Sequence, residues 1–287
     1  MLIIRLMGGL GNQMFQYALY EAFLNKGKAA KIDLSWYTRA REHNGYELSN
    51  VFDLTPYLSD YNEAKKIGEV EYDILHRAYR KIFGHKKTNI FQDVDNAIIY
   101  DEDIWQLDNC YLAGYWQSEK YFNNIRALLL KKFMFRPISD RVNLDVAEKI
   151  LKTNSASIHI RRGDYLKESV YGGICTLEYY RKAIECLQSL VKTKLCFFVF
   201  SDDIEWCKNN LKIESAFYVG HNKNIASYID MQLMSMCKYN IIANSSFSWW
   251  GAWLNNKTDK IVIAPSRWFN KSKYGREDIV PETWIRI

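Results

Sequence analysis

The chain has four prolines and fourteen glycines in 287 residues, which excludes collagen-like and low-complexity classes. Its six cysteines, Cys110, Cys175, Cys186, Cys196, Cys207 and Cys237, form no Cys-x-x-Cys pair, so neither a redox motif nor a short disulfide framework is present. That spread suits free, mostly buried thiols in a reducing compartment. Five scattered histidines, His43, His76, His85, His159 and His221, make no His-Glu-x-x-His or Cys-His cluster, and no metal site is expected. A Gly-x-Ser-x-Gly elbow is missing as well. No apolar run approaches the length of a membrane span; Leu195 to Phe200 is strand-sized. The opening MLIIRLMGGLGN is broken by Arg5 and runs into glycines, unlike an export leader, so a cytoplasmic chain is expected.

What remains is a chain rich in core-forming residues. Apolar residues make up 48% and charged residues 25%, enough for one large domain or two of ordinary size. Aromatics reach 15%, and such rings either fill a core or stack on flat ligand faces. The net charge of +6 suits phosphate ligands or contact with an anionic membrane surface. It is weaker than the clustered charge of a dedicated nucleic-acid binder, and no nucleic-acid partner is expected.

Hydrophobic periodicity divides the chain in two. Leu2–Leu6 reads as a buried strand, Met7–Asn12 as a glycine turn, Gln13–Asn25 as a helix and Ala29–Leu34 as a strand, a β-α-β opening that points to a parallel sheet. Trp36 to Asp108 is irregular, with one helix near Tyr72–Phe83 whose basic side has solvent, an acceptor or lipid headgroups as its readings; solvent is favoured, since positive side chains near a helix C-terminus also complement its dipole. Glu119–Phe133 reads as a helix, and Asp140 is placed to cap another running to Leu151. From Asn154 strands and helices alternate regularly: strands at Ala156–Arg161, Leu195–Phe200, Phe217–Val219, Ile241–Ala243 and Ile261–Ala264, with helices at Leu177–Leu190, Asp203–Asn210, Ile225–Cys237 and Ser246–Leu254. The fold expected is α/β: an N-terminal domain over 1–150 and a Rossmann-like domain over 151–287, facing a cleft, with the last segment allowed to pack back on the first domain.

Open parallel sheets bind ligands beyond the carboxyl ends of their strands. Four motifs fall there. Gly8-Gly9-Leu10-Gly11-Asn12-Gln13 imitates a dinucleotide loop, with Asp33 where a ribose-binding acid stands, but Met14 replaces the third glycine. A tight structural turn is an equal reading. His159-Ile160-Arg161-Arg162-Gly163-Asp164 closes a strand with two guanidinium groups suited to a diphosphate, the plainer reading being an Arg-Asp ion pair. Ser201-Asp202-Asp203 offers a helix cap and a carboxylate for a ribose or guanine edge. Asn244 to Trp253 places Ser245 and Ser246 at a helix start, where free amides suit phosphate oxygens, while its tryptophans pack the helix onto the sheet. Asn244-Ser-Ser also fits a glycosylation sequon. These motifs fit a sugar-nucleotide-dependent transferase better than an NAD enzyme or a glycan-binding protein.

The segments Gly8 to Tyr17, Gly114 to Tyr121, His159 to Tyr165 and Asn244 to Ala252 resemble, in order and across nearly the whole chain, the bacterial alpha-1,2-fucosyltransferases of glycosyltransferase family 11. The resemblance implies a GT-B fold, no metal or other cofactor, GDP-fucose as donor and the 2-hydroxyl of a β-galactoside as acceptor. Lipid-linked acceptors at the inner face of the membrane, in surface polysaccharide or O-antigen synthesis, are also implied. Carried over by motif, Arg161 and Arg162 contact the diphosphate, and Ser245, Ser246 and Phe247 surround donor phosphates or fucose. His159 and Asp202 organise ribose or guanine, and Gly9, Gly11, Asn12 and Gln13 form a loop that places the substrates. Asp164 is the candidate base.

Overall fold

The computed structural model describes residues 1–38, 43–70, 74–84, 86–92, 97–166, 168–270 and 277–287; at Arg77 and Asp164 it covers the backbone alone. The chain divides into two units, Met1–Met134 and Phe135–Ile287.

In the first unit, β1 (Leu2–Arg5) is buried at every position, as a central parallel strand requires. It runs parallel to β2 (Ala30–Asp33) on one side and β4 (Tyr111–Ala113) on the other, and β3 (Asn89–Phe91) closes the sheet in the order β2-β1-β4-β3. Between β1 and β2 runs α1 (Leu10–Asn25), buried almost all round. It starts ahead of the expected Gln13: Gly9, extended at φ −77°, is its N-cap, and the amides of Asn12 and Gln13 both donate to the Gly9 carbonyl. The short helices α2 (Leu48–Phe52) and α3 (Tyr61–Ile67) and the longer α4 (Ile74–Phe83) fill the stretch before β3. The expected Glu119–Phe133 helix is broken. Two 3-10 turns lead into α5 (Arg126–Lys132), and Phe122, at φ −142° and fully buried, leaves helical geometry between them.

The second unit starts with α6 (Arg141–Lys152), capped by the Asp140 carboxylate on the Asn143 amide at 2.9 Å. Its six strands are β5 (Ser155–Ile160), β6 (Cys196–Ser201), β7 (Ala216–Val219), β8 (Tyr239–Ile241), β9 (Val262–Ala264) and β10 (Ile285–Arg286). All pair in parallel in the order β10-β9-β8-β5-β6-β7. Numbered within the unit this is the 3-2-1-4-5-6 arrangement of a Rossmann sheet, which reverses direction between β5 and β8. The helices α7 (Leu177–Leu190), α8 (Ile204–Asn210), α9 (Tyr228–Met236) and α10 (Ser246–Leu254) accompany the strands. Trp249, Trp250 and Trp253 are all buried, and Trp249 Nε1 donates to the Ile279 carbonyl at 2.7 Å.

The expected domain boundary is revised. The division falls after Met134 rather than at 150, because α6 packs on α9 through polar side chains. Asn143 Nδ2 donates to Asn222 Oδ1 at 2.8 Å, and Asn222 Nδ2 donates to Asp230 Oδ1 at 2.7 Å. The last segment is built into the second sheet as β10, with the Ile287 amide on the Ala264 carbonyl at 3.0 Å. The six cysteines are free thiols; Cys110, Cys207 and Cys237 are buried, and burial pushes the Cys207 thiol up to about 11 and Cys237 higher still.

Burial also pushes the Asp230 carboxyl up to about 7, despite the Asn222 hydrogen bond that opposes the shift. Folded, Asp230 holds its proton until near neutrality; unfolded, it releases it near ~3.9. Stability from this group therefore falls as pH rises through that window and is lowest above it. Asp230→Asn, which keeps the acceptor for Asn222, should raise stability by about 2–4 kcal/mol at pH 8 and by almost nothing near pH 4. Urea denaturation at the two pH values measures the difference.

Candidate active site

The carboxyl edge of the second sheet gathers most of the chemistry-bearing residues. β5 delivers Arg161, Arg162 and Gly163, its neighbour β6 delivers Asp202 and Asp203, and its other neighbour β8 leads through Asn244 to Ser245 and Ser246. The reversal point of the strand order thus lies between the arginine pair and the start of α10.

One carboxylate organises the arginine loop. Asp202 Oδ1 accepts the Arg162 amide at 2.9 Å, and Oδ2 accepts the Gly163 amide at 3.0 Å and lies 3.2 Å from Arg161 Nη1. Asp202 thus holds the loop from the neighbouring strand, and the remaining lone pairs of its carboxylate leave room for the expected ribose or guanine contact. A Cβ at Gly163 would sit 2.9 Å from Asp202 Oδ2, so only glycine fits this approach without displacement. Asp203 caps α8 on the Trp206 amide at 3.2 Å, and its other oxygen accepts from Arg162 Nε at 3.2 Å. The Arg162 guanidinium lies over the Trp206 ring, 3.7 Å from its centroid. The expected Arg-Asp pairing is present twice, and it fixes both forks at the strand ends.

His159 points into the unit. It is buried, its Nδ1 has no partner among the described residues, and its ring lies 5.8 Å from that of Phe247. Burial, helped by the Arg161 charge, pushes its pKa down to about 3, so it is neutral at physiological pH and a poor proton acceptor. Ser245 is the N-cap of α10 but makes no side-chain cap bond, and no acid stands in the first turn of the helix. Ser246 and Phe247 are half-buried there. Asp164 opens a 3-10 turn, Asp164–Leu166, and its side chain lies outside the described residues.

Sequence reasoning missed the role of Asn244. Its Nδ2 donates to the carbonyls of Tyr171 at 2.9 Å and Trp268 at 3.0 Å, and its own carbonyl accepts from Tyr165 Oη at 2.9 Å. Asn244 is 2% exposed, which removes it as a glycosylation acceptor. Strand-end position and the adjoining serines were the only signal for it.

The first-unit residues stand at the carboxyl edge of the other sheet, after β1. Gly8 takes φ +76°, which favours glycine. Gly11, Asn12 and Gln13 belong to the first turns of α1 rather than to a loop. Gln13 is fully buried: its Nε2 donates to the Gly8 and Gly45 carbonyls at 3.1 and 2.8 Å, and its Oε1 accepts the Glu47 amide at 2.9 Å. It is a strut, and its expected ligand role is set aside. One turn on, Gln16 does the same for the Met7 amide and the Gly114 carbonyl, both at 2.9 Å. Gly9 and Asn12 remain half-exposed, Asn12 Oδ1 accepting from Gln117 Nε2 at 2.8 Å. Asp33 is buried under Tyr111 and Ser35, which removes the ribose-acid reading. A cavity of ≈ 840 Å³ lined by Leu195, Phe197, Asn210 and Ile213 opens at the amino end of β6, the end away from Asp202. Among the described residues, no three His, Cys, Asp or Glu are placed to hold a metal ion, and no helix is long and apolar enough to cross a membrane.

Two parallel α/β units, the second a Rossmann sheet, are the fold of the GT-B type. The family model "Glycosyl transferase family 11" matches residues 1–287, and the chain belongs to that family. It is 39% identical to the alpha-1,2-colitosyltransferase of Escherichia coli over 99% of this chain and 98% of that one. It is 34% identical to the O-antigen biosynthesis glycosyltransferase WbnK of Escherichia coli over 98% and 99%. Among solved structures it matches the NodZ alpha-1,6-fucosyltransferase soaked with GDP-fucose at a TM-score of 0.52, with 16% identity, covering 88% of this chain and 91% of that one; this likeness speaks to the fold.

The strut reading of Gln13 separates it from its neighbour. Gln13→Ala should lower stability by about 2–4 kcal/mol, since it strands buried backbone groups, whereas Asn12→Ala should cost less than about 1 kcal/mol. Chemical denaturation of the two variants tests this.

Proposed function

We propose that the protein is a metal-independent, inverting α-1,2-glycosyltransferase. It moves L-fucose from GDP-fucose to the 2-hydroxyl of a terminal β-galactoside such as lactose, Gal-GlcNAc or Gal-GalNAc, in surface-polysaccharide or O-antigen assembly. The observation that carries this reading is the arginine pair at the reversal point of the second sheet, held by Asp202 and Asp203. The name of the Escherichia coli colitosyltransferase favours one second reading, GDP-colitose as donor. Colitose is fucose without its 3-hydroxyl, so the two donors present the same diphosphate and the same anomeric carbon.

In this mechanism the galactose 2-hydroxyl attacks C1 of the β-linked donor sugar from the face opposite GDP. The C1–O bond to the β-phosphate breaks, an α-linkage forms, and the hydroxyl proton passes to a base. Asp164 is our candidate for that base; His159, with its pKa near 3, is a weaker one for a group of its kind. Arg162 bonds Asp203 through Nε, which leaves its two terminal nitrogens for the diphosphate as charge develops on the leaving group. Arg161, Ser245 and Ser246 take the remaining phosphate oxygens, with Phe247 beside the sugar.

The first test is GDP release from GDP-fucose in EDTA, with and without lactose, followed by NMR of the product. Acceptor-dependent release giving an α-fucoside on galactose O2 is expected. Turnover of GDP-colitose alone would correct the donor, and binding of neither would overturn the reading. Arg162→Ala should cut kcat about 10²–10³-fold. Asp164→Asn should cut turnover about 10²-fold or more with GDP-fucose binding intact; unchanged turnover would remove it as the base. Gly163→Ala, which displaces the Asp202 clasp, should weaken GDP binding about tenfold by calorimetry.

A further inference from the structure

Helix α4 carries its apolar half on the outside. A 100° step per residue puts Ile74, Leu75, Tyr79, Ile82 and Phe83 on one half of the helix and His76, Arg80 and Lys81 on the other. The sequence favoured the basic half as the solvent face. The structure reverses this: the Arg80 guanidinium lies 3.7 Å from Glu69, both side chains largely buried, so the basic half is turned toward the rest of its unit. The apolar side chains are left out, with exposures of 83% at Ile74, 80% at Leu75, 60% at Tyr79, 74% at Ile82 and 69% at Phe83. The Tyr79 and Phe83 rings also pair, 4.7 Å apart, on that outer half. Scattered surface apolar residues need no explanation, but a contiguous face on one helix does.

The charge around this face selects what covers it. Lys81 is exposed on the helix, Lys66 is exposed in the last turn of α3, and Lys87 is exposed in the segment after α4. Lys86 Nζ donates to the carbonyls of Lys65 at 2.8 Å and Gly68 at 3.2 Å, which draws the segment after α4 against the end of α3. Residues 65–87 carry seven lysines and arginines against three acids, Glu69, Glu71 and Asp73, and among the described acids Glu63 pairs with Lys31 and Glu69 with Arg80. The face is thus apolar with a positive rim. A second copy packed on it about a two-fold axis would set lysine rim against lysine rim. An anionic surface with an apolar interior complements both features.

We propose that α4 docks the protein on an anionic lipid bilayer, lying in the interfacial plane with Ile82, Phe83 and their neighbours among the upper acyl chains and the lysines at the headgroups. This does not depend on which donor or acceptor the enzyme uses. The test is flotation of the full chain with phosphatidylcholine vesicles and with vesicles containing about 40% phosphatidylglycerol, at low and high salt. Binding to the anionic vesicles at least tenfold tighter than to the neutral ones, weakened by salt, is expected. A variant carrying Ile82→Asp and Phe83→Asp should lose that binding at least tenfold while keeping its circular dichroism spectrum and its turnover of a soluble acceptor. Lys81→Glu with Lys87→Glu should lower binding to the anionic vesicles alone. No binding to either vesicle, or equal binding by the Ile82→Asp, Phe83→Asp variant, would overturn the proposal. So would a concentration-dependent dimer in sedimentation that this variant abolishes.

Discussion

The Asp202 carboxylate is the point on which the second unit's site depends. Two guanidinium groups on consecutive residues repel each other, and a loop leaving a strand has no ladder partner to define it. Asp202 answers both problems from the neighbouring strand: it accepts the amides of Arg162 and Gly163 and sets a negative charge beside Arg161. Asp203, one residue on, fixes Arg162 against Trp206 while capping α8. Charge-assisted bonds of this kind keep the forks oriented before any ligand arrives, so binding need not order them.

The first unit solves a related problem with neutral groups. Its β1 and β4 are adjacent, and the loops that follow them, together with the stretch before α2, would leave buried amides and carbonyls without partners. Gln13 and Gln16, one turn apart on α1, supply those partners with both ends of their amides. The glycine-rich opening therefore builds a rigid edge, with Gly8 in the left-handed region where a side chain would meet Asn12 Nδ2 at 2.6 Å.

Where the sequence was legible, the physics was local. The helices Leu177–Leu190 and Ser246–Leu254 fall where periodicity and capping residues put them, and Asp140 and Asp203 cap as expected. The arginine pair stands at a strand end because a buried apolar run stops at Ile160. What could not be read was set by distant partners. Strands β3, β4 and β10 are too short for alternation to register and exist through their neighbours. Gln13 looked like a ligand residue because a polar side chain beside glycines carries no mark of its burial. The orientation of α4 was misjudged because amphipathicity defines two faces without saying which one turns inward; Glu69 decides it.

The unpaired thiols have a use beyond packing. Cys110 is enclosed in the first unit, and Cys207 and Cys237 are enclosed in the second. Enclosure and raised thiol pKa values make them inert to alkylating reagents while their surroundings are closed. Each therefore becomes reactive only when its own unit opens. The native chain carries built-in reporters by which the local breathing of one unit can be timed separately from that of the other, without a label or a substitution.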